Sequence, residues 1–431
     1  MENSSSDCQP LKIIFLAIGS DGDINPLLEI ASELKRRGER VEFIANGHFQ
    51  NKVEAEGLYF RALGGAELYQ EGLQNEDIWH PRKGFQAVWK SVYASLELGY
   101  KLIMEGIDPG RTILVGSTLA FSARIVSEKH GLPFCSVHLS PSCLISRQSP
   151  PVGPGVVVPA SLPLWLKRLY VDLVENYIID AACRDDLNTF RSTLGLSPVK
   201  NVFSSWVHSP DLVLCAFPEW FAARQSDWPT NLVFTGFPLF YKRMNEDLSA
   251  AVQDFLAAGE APLIFTAGSA MAHSAEYFKR ALDCVLAGGW RAIFVTKFSN
   301  QIPCNLPPQV MVSAYEPFDL LFARAKAVSH HGGIGTSAQC LRAGVPQLVA
   351  PFAHDQFDNA LRLTELGVAA TVRTGESGRQ WSRRLSKLLK DEASRNVCQK
   401  YRRLMDEGGA AAAAEAVMGL RSAVCGIEME S

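Results

Sequence analysis

The sequence predicts an α/β protein: two Rossmann-like, doubly wound parallel-sheet domains facing across a cleft. Three observations lead there. Short β-rich apolar runs alternate with amphipathic helical stretches, as strand–helix–strand units do. The alternation restarts after a polar stretch near the middle of the chain. The length of 431 residues is more than one ordinary domain needs. The boundaries are placed at 1–240 and 248–431, with the split near 238–248.

The first series opens with KIIFLAIG at 12–19, which reads as a strand covered on both faces. SDGD then turns the chain. Asn25 is expected as N-cap and Pro26 as the first helical residue. Leu27, Leu28, Ala31 and Leu34 follow at helical spacing, and Gly38 is the stop. RVEFIAN at 40–46 is a second strand, so the unit is βαβ with a right-handed crossover. TILVG at 112–116, a helix at 120–130 and PFCSVHL at 133–139 repeat the pattern. LVLCAF at 212–217 and NLVFTG at 231–236 add strands.

One segment differs. SPPVGPGVVVPASLPLW at 149–165 is rich in proline and valine and fits neither a regular helix nor a central strand. It reads as a connecting loop, as the greasy wall of a ligand pocket, or as a patch that touches lipid.

The second series follows the polar stretch 241–247. PLIFTAG at 262–268 is a strand ending in a small-residue turn, 275–287 a helix, and RAIFVT at 291–296 a strand. AVS at 327–329 runs into HHGGIGT and a helix to about residue 343, followed by PQLVAPF at 346–352 and HDQFDNA. The alanine-rich stretch 409–420 is helical, since alanine is the best helix former. Its packing back on the N-terminal domain is left open. No repeat of solenoid period is present.

Composition narrows the function. Lys plus Arg total 42 against 45 for Asp plus Glu, a net of −3, so a polyanion such as nucleic acid is not the partner to expect. Hydrophobic residues at 47% can fill more than one core. The ten cysteines, from Cys8 to Cys425, include no C-x-x-C pair and sit mostly in apolar runs. They read as free thiols, with neither a disulfide framework nor a zinc site. The start, MENSSSDCQP, carries Glu2 and lacks the basic n-region of a signal peptide. No apolar run approaches the ~20 residues that span a bilayer. A cytoplasmic protein is expected, with peripheral contact at the inner membrane face left open.

Several residues could carry chemistry. Gly332, Gly333, Gly335 and Thr336 follow a strand and open a helix, where backbone N–H groups and the macrodipole make an anion site. His330 and His331 stand before them as imidazole donors. By spacing, Gly333, Gly335 and Ala338 also satisfy G-x-G-x-x-A, with Asp355 about 20 residues on, so a nicotinamide or flavin enzyme competes on this segment alone. Asp23 lies in the first βα turn, where doubly wound folds bind ligands. It is either a general base for a hydroxyl or a capping aspartate. Asp21 and Asp23 form a D-x-D pair, but further metal ligands in reach are lacking. Ser269 is a second phosphate candidate beside its alternative as a turn serine. His138 and His208 read as structural.

Two stretches carry a resemblance. SHHGGIGTSAQCLRAGVPQLVAPFAHDQFDNALRLTELGVA at 329–369 is similar to the donor-binding signature of family 1 glycosyltransferases of the GT-B fold. AIGSDGDINPLLEIASELKRRGERVEF resembles their N-terminal acceptor-side motif. WVHSPDLVLCAFPEWFA and DWPTNLVFTGFPLF extend the likeness over nearly the whole chain, toward the rhamnosyltransferases of rhamnolipid synthesis. The resemblance implies an acceptor-binding N-terminal domain and a nucleotide-sugar-binding C-terminal domain. It implies Asp23 as catalytic base and His330 on the donor diphosphate, with Gly333, Gly335, Thr336 and Ser269. His331 fills a more variable position. Asp355 and Gln356 match the pair that holds donor sugar hydroxyls. Tyr315 stands where many relatives stack a tryptophan on the nucleobase, which leaves that role between Tyr315 and Phe318.

The resemblance therefore implies an inverting transfer from a dTDP- or UDP-sugar, of rhamnose or glucose type, to a hydroxyl of a hydrophobic acceptor. No metal and no resident cofactor are expected, because the nucleotide-sugar is a co-substrate. The competing readings are a nucleotide-sugar epimerase, a nicotinamide-dependent enzyme, and a non-catalytic nucleotide-sugar-binding partner of another transferase.

Overall fold

The computed structural model describes residues 9–80, 83–239, 247–405 and 408–425. Two all-parallel sheets are present. The N-terminal sheet holds β1 (Lys12–Leu16), β2 (Arg40–Ala45), β3 (Tyr59–Ala62), β4 (Thr112–Ser117), β5 (Phe134–His138), β6 (Leu212–Cys215) and β7 (Leu232–Phe234), in the order β3-β2-β1-β4-β5-β6-β7. The C-terminal sheet holds β8 (Leu263–Thr266), β9 (Ala292–Val295), β10 (Val310–Ser313), β11 (Ala327–His330), β12 (Gln347–Val349) and β13 (Ala369–Thr371), in the order β10-β9-β8-β11-β12-β13. In each the order reverses beside the first strand, which opens a crevice at the carboxyl ends of the strands. Burial on both faces explains the composition: four residues of β1 and all of β4, β5, β8 and β9 are buried.

The expected elements stand within three residues of their places, with one correction of consequence. The helix after β1 runs Asp21–Arg36, with Ser20 and not Asn25 as its N-cap. Ser20 and Asp23 form a capping box, so Pro26 lies inside the helix and not at its first position. Strands β3, β10 and β13 and the 23-residue helix Gly84–Gly106 were not anticipated. Most of the expected domain junction, 240–246, lies outside the described residues, as do Cys8 and the side chain of Cys425. The eight described cysteines are all free, and six of them are buried.

The helix Gly409–Met418 crosses back from the C-terminal half to the helix Asp21–Arg36. Ala410, Ala413, Ala414 and Val417 join Leu27, Leu28 and Ala31 in one buried cluster. Arg37 Nη1 reaches Glu415 at 2.7 Å and Nη2 donates to the Ala411 carbonyl at 3.0 Å. Poly-alanine suits this contact because small side chains let two helices approach closely. Near the cleft the short turn Glu76–Trp79 reaches over to the other lobe, where Trp79 packs against the C-terminal core.

Candidate functional site

On the N-terminal side the site is built on the first helical turn. Both hydrogen bonds that reach the Asp23 carboxylate fall on Oδ2, from Ser20 N at 2.7 Å and Ser20 Oγ at 3.1 Å. Burial pushes the Asp23 carboxyl up to about 6; the Ser20 bonds oppose the shift, and the charge of Asp355 adds to it. Asp21, two positions earlier, is occupied by the Lys52 ammonium, which also donates to Asn25 at 3.0 Å. The D-x-D carboxylates therefore have separate partners, one paired with a cation and one kept for the cleft. Among the described residues no group of three histidine, cysteine or acidic side chains stands together as a metal site would require.

On the C-terminal side the carboxyl ends of β8 and β11 meet, and here the two histidines part company. His330 ends β11 and is fully buried. Its Nδ1 accepts from Gly332 N at 3.0 Å, which places the proton on Nε2, and Nε2 donates to Gln347 Oε1 at 2.9 Å. Nδ1 is engaged by the loop and Nε2 by the first residue of β12, so in this structure neither ring nitrogen is turned to the cleft for the diphosphate role that the resemblance implied. Desolvation lowers its pKa to about 4, so it is neutral near pH 7. His331 turns the other way. Its Nδ1 is buried without a hydrogen-bond partner, and burial brings its pKa to about 3. Its ring lies between two glycines: a Cβ at Gly268 would stand 2.6 Å from Cε1, and one at Gly333 would stand 2.3 Å from Nε2. Gly268, at φ +92°, and Gly333 are thus glycine partly because this ring covers them.

The helix Ile334–Ala343 starts at Gly333 with no side-chain cap. Its first N–H groups therefore lack a capping partner, the condition under which a helix start takes an anion. A Cβ at Gly335 would meet nothing within 4 Å, so the first turn of the helix is open there, and Ser269 is exposed on the turn after β8. Asp355 stands at the N-cap position of the next helix, Gln356–Glu365, without a side-chain capping bond. Burial raises its carboxyl to about 6 against the opposing hydrogen bond from Asn359 Nδ2 at 2.8 Å. Gln356 is buried, and its carbonyl oxygen accepts from Phe352 N and Ala353 N at 2.8 and 3.1 Å, so that end of the amide holds the loop. Of the two nucleobase candidates, Tyr315 is 60% exposed on a turn pinned by the buried Glu316. Phe318 instead stacks on Phe322, ring centroids 4.5 Å apart, and packs against the core.

Three participants escaped sequence reasoning. His354, at φ +55°, lies edge-on to Trp79 with ring centroids 5.7 Å apart and shares an electrostatic field with Asp23. Asn359 ties Asp355 to Ser140 of the other lobe through a 3.0 Å bond from Ser140 Oγ. Tyr69 stacks on His48 at 4.4 Å, and its hydroxyl is buried without a partner. Burial, and then the charges of Asp21 and Asp23, raise its pKa. His354 and Asn359 carried a signal, as the first and last residues of HDQFDN; Tyr69 carried none. His138 and His208 are bonded to each other at 2.9 Å.

Comparison with known proteins extends this geometry. Residues 13–146 match the glycosyltransferase family 28 N-terminal domain, and residues 293–417 match the erythromycin biosynthesis protein CIII-like C-terminal domain. Sterol 3-beta-glucosyltransferase UGT80B1 of Arabidopsis thaliana is 26% identical over 439 residues, covering 94% of this chain and 67% of the plant protein. The sterol 3-beta-glucosyltransferase of Glomerella lagenarium is 24% identical, covering 85% of this chain but only 25% of its own length. Glycosyltransferase GtfC of Amycolatopsis orientalis is 24% identical over 84% of this chain and 86% of its own. These relatives carry the glycosyltransferase class; they do not carry the narrower likeness to rhamnolipid rhamnosyltransferases. Among solved structures, the glycotransferase of kitacinnamycin superposes with a TM-score of 0.73 at 20% identity, over 95% of this chain and 99% of that one. The calicheamicin glycosyltransferase CalG4 follows at 0.68 and 20%, over 96% and 99%. At such identities the likeness fixes the fold alone: two facing parallel-sheet α/β domains, as in GT-B glycosyltransferases.

Proposed function

Because the chain is a glycosyltransferase with the two facing parallel-sheet domains of the GT-B fold, we propose that it moves a sugar from a nucleotide-sugar to a hydroxyl of a hydrophobic acceptor, inverting the anomeric centre without a metal ion. The observation that carries this reading is the half-buried Asp23 on one lobe, a carboxylate that feels the charges of Asp355 and His354 on the other. In the proposed step the acceptor O–H gives its proton to Asp23. The oxygen attacks the anomeric carbon, and the bond from that carbon to the diphosphate breaks. Negative charge then grows on the leaving diphosphate, beside His331, the uncapped N–H groups from Gly333 onward, and Ser269. Fixed dipoles there act more strongly on the transition state than on the bound donor. Asp355 and Gln356 face the donor sugar in this reading, and Tyr315, exposed where Phe318 is committed, takes the nucleobase.

The sterol glucosyltransferases among the relatives favour a glucosyl donor and a sterol-like alcohol over dTDP-rhamnose and a hydroxy-fatty acid. Among the described residues no helix is long and apolar enough to cross a membrane, so a water-insoluble acceptor would be met at a surface. Mass spectrometry of products from UDP- and dTDP-sugars, crossed with sterol, hydroxy-fatty-acid and phenol acceptors, tests the reading. A glycoside formed in the presence of EDTA is expected. Full dependence on divalent ions, or an epimerised donor without an acceptor, would overturn it.

A further inference from the structure

The proline–valine segment divides in two. Its start belongs to the cleft: Val152 N donates to Asp358 Oδ1 of the donor-side helix at 3.1 Å. From Val156 onward it faces out, with Val156 and Val157 exposed, and it leads into the helix Leu164–Val174, of whose eleven residues Val171 alone is buried. Trp165, Leu169, Leu173 and Tyr177 recur every fourth residue opposite Val171, exposed by 66, 49, 47 and 75%, with Ile178 beside them at 57%. Single exposed apolar residues are ordinary; a continuous stripe bounded by aromatics is not.

The stripe is held outward by design of its base. A π turn, Glu175–Ile179, follows the helix. The buried Glu175 accepts from Ser204 N at 3.0 Å, and the buried Asp180 accepts from Asn201 N and Val202 N at 2.9 and 3.0 Å. These bonds fix the arm to the body. Its edge is cationic: Arg168 is exposed and makes no ion pair with a described residue, and Lys167 donates only to the Gln148 and Ala160 carbonyls. The one acid at that edge, Asp172, is neutralised by Arg147 at 2.8 Å. A second copy packed arm to arm would bring these cations together. An anionic bilayer surface complements them, and tryptophan and tyrosine at the two ends, ~18 Å apart along a helix, are suited to its headgroup layer.

We propose that residues 156–178 form a docking arm that seats its Trp165–Tyr177 stripe in the surface of an anionic lipid bilayer. The arm lies on the membrane and does not cross it. Its continuity with the cleft at Val152 gives an apolar acceptor a route from lipid to Asp23; this last step, unlike the docking, rests on the function proposed above.

Flotation of the full chain with liposomes tests it without reference to catalysis. Wild type should float with phosphatidylcholine–phosphatidylglycerol vesicles and bind pure phosphatidylcholine at least tenfold more weakly. Trp165→Ser with Leu169→Ser should weaken binding to the anionic vesicles at least tenfold with an unchanged melting temperature, and Arg168→Glu should weaken it severalfold. Turnover of a water-soluble acceptor should be the same in all of them. No flotation of wild type, flotation of the double variant equal to wild type, or a dimer in sedimentation that the double variant converts to monomer would each overturn the arm as a lipid contact.

Discussion

Asp23 carries two loads on one carboxylate. Its Oδ2 closes the capping box on Ser20, and no described residue donates to its Oδ1. Raised to about 6 by burial, it is mostly ionised at neutral pH and more basic than an ordinary carboxylate, which suits a proton acceptor. In the role proposed for it Asp23 must be ionised, so kcat/KM should fall as pH drops through about 6. Stability runs the other way: the folded state binds this proton more tightly than the unfolded chain, so stability falls as pH rises from about 4 to about 6. Asp23→Asn, whose amide oxygen still accepts from Ser20 N, should cut kcat by ~10²–10⁴-fold. Its melting temperature at pH 8 should be no lower than that of wild type, and unchanged turnover would remove Asp23 from the role. The histidines separate in the same way. His331→Ala should weaken nucleoside diphosphate binding in calorimetry while leaving melting intact. His330→Ala, by stranding the buried Gly332 N–H and Gln347, should cost ~1–3 kcal/mol in denaturant unfolding. The H-H pair was legible in the sequence, but which ring faces the cleft was not, because adjacent residues at a strand end point to opposite sides.

At the scale of elements, what could be read was what is buried on both faces. The central strands β1, β4 and β8 are mostly apolar runs, and no partner is needed to recognise them. The edge strands β3 and β13 show no fully apolar face, with Tyr59 65% exposed and Thr371 half-buried, so their identity comes from the neighbour they pair with. The helix after β1 starts five residues before Pro26, because the serine–aspartate box upstream, and not the proline, sets its first turn. Tertiary contact likewise decides what glycine does. A Cβ at Gly409 would stand 2.5 Å from the Phe237 carbonyl oxygen and 2.7 Å from its carbon, backbone that has little room to yield. Gly409→Ala should therefore destabilise by ~1–3 kcal/mol in calorimetry. It should also lower kcat, because the displaced helix supports the one that carries Asp23. Gly335→Ala should do the reverse: nothing opposes its methyl, so melting is unchanged or improved by up to ~1 kcal/mol, yet nucleotide binding weakens as the methyl covers the open loop.

For the whole molecule the decisive fact is that the two raised carboxylates belong to different lobes. Asp23 and Asp355 feel each other only while the cleft holds its width, so the pKa of Asp23 reports on domain geometry as well as on its own turn. Several contacts cross the cleft, the 3.1 Å bond from Val152 N to Asp358 Oδ1 among them. Ser140 Oγ reaches Asn359 at 3.0 Å, the His273 ring meets the Gln74 carbonyl at 3.3 Å, and Trp79 inserts into the C-terminal core beside His354. Trp79 is the largest of these anchors, and its indole N–H is buried without a partner, so it holds by packing alone. Trp79→Ala should leave nucleoside diphosphate affinity near wild type, since His331 and the helix start at Gly333 lie on one lobe. It should lower kcat and increase the radius of gyration in X-ray scattering. The acid limb of kcat/KM should also move to lower pH, as Asp23 loses both the charge of Asp355 and part of its burial. Equal scattering curves with an unshifted limb would mean that the lobes are registered by the C-terminal helix and not by this anchor. A loss of nucleotide affinity equal to the loss of turnover would mean that Trp79 shapes the donor lobe itself.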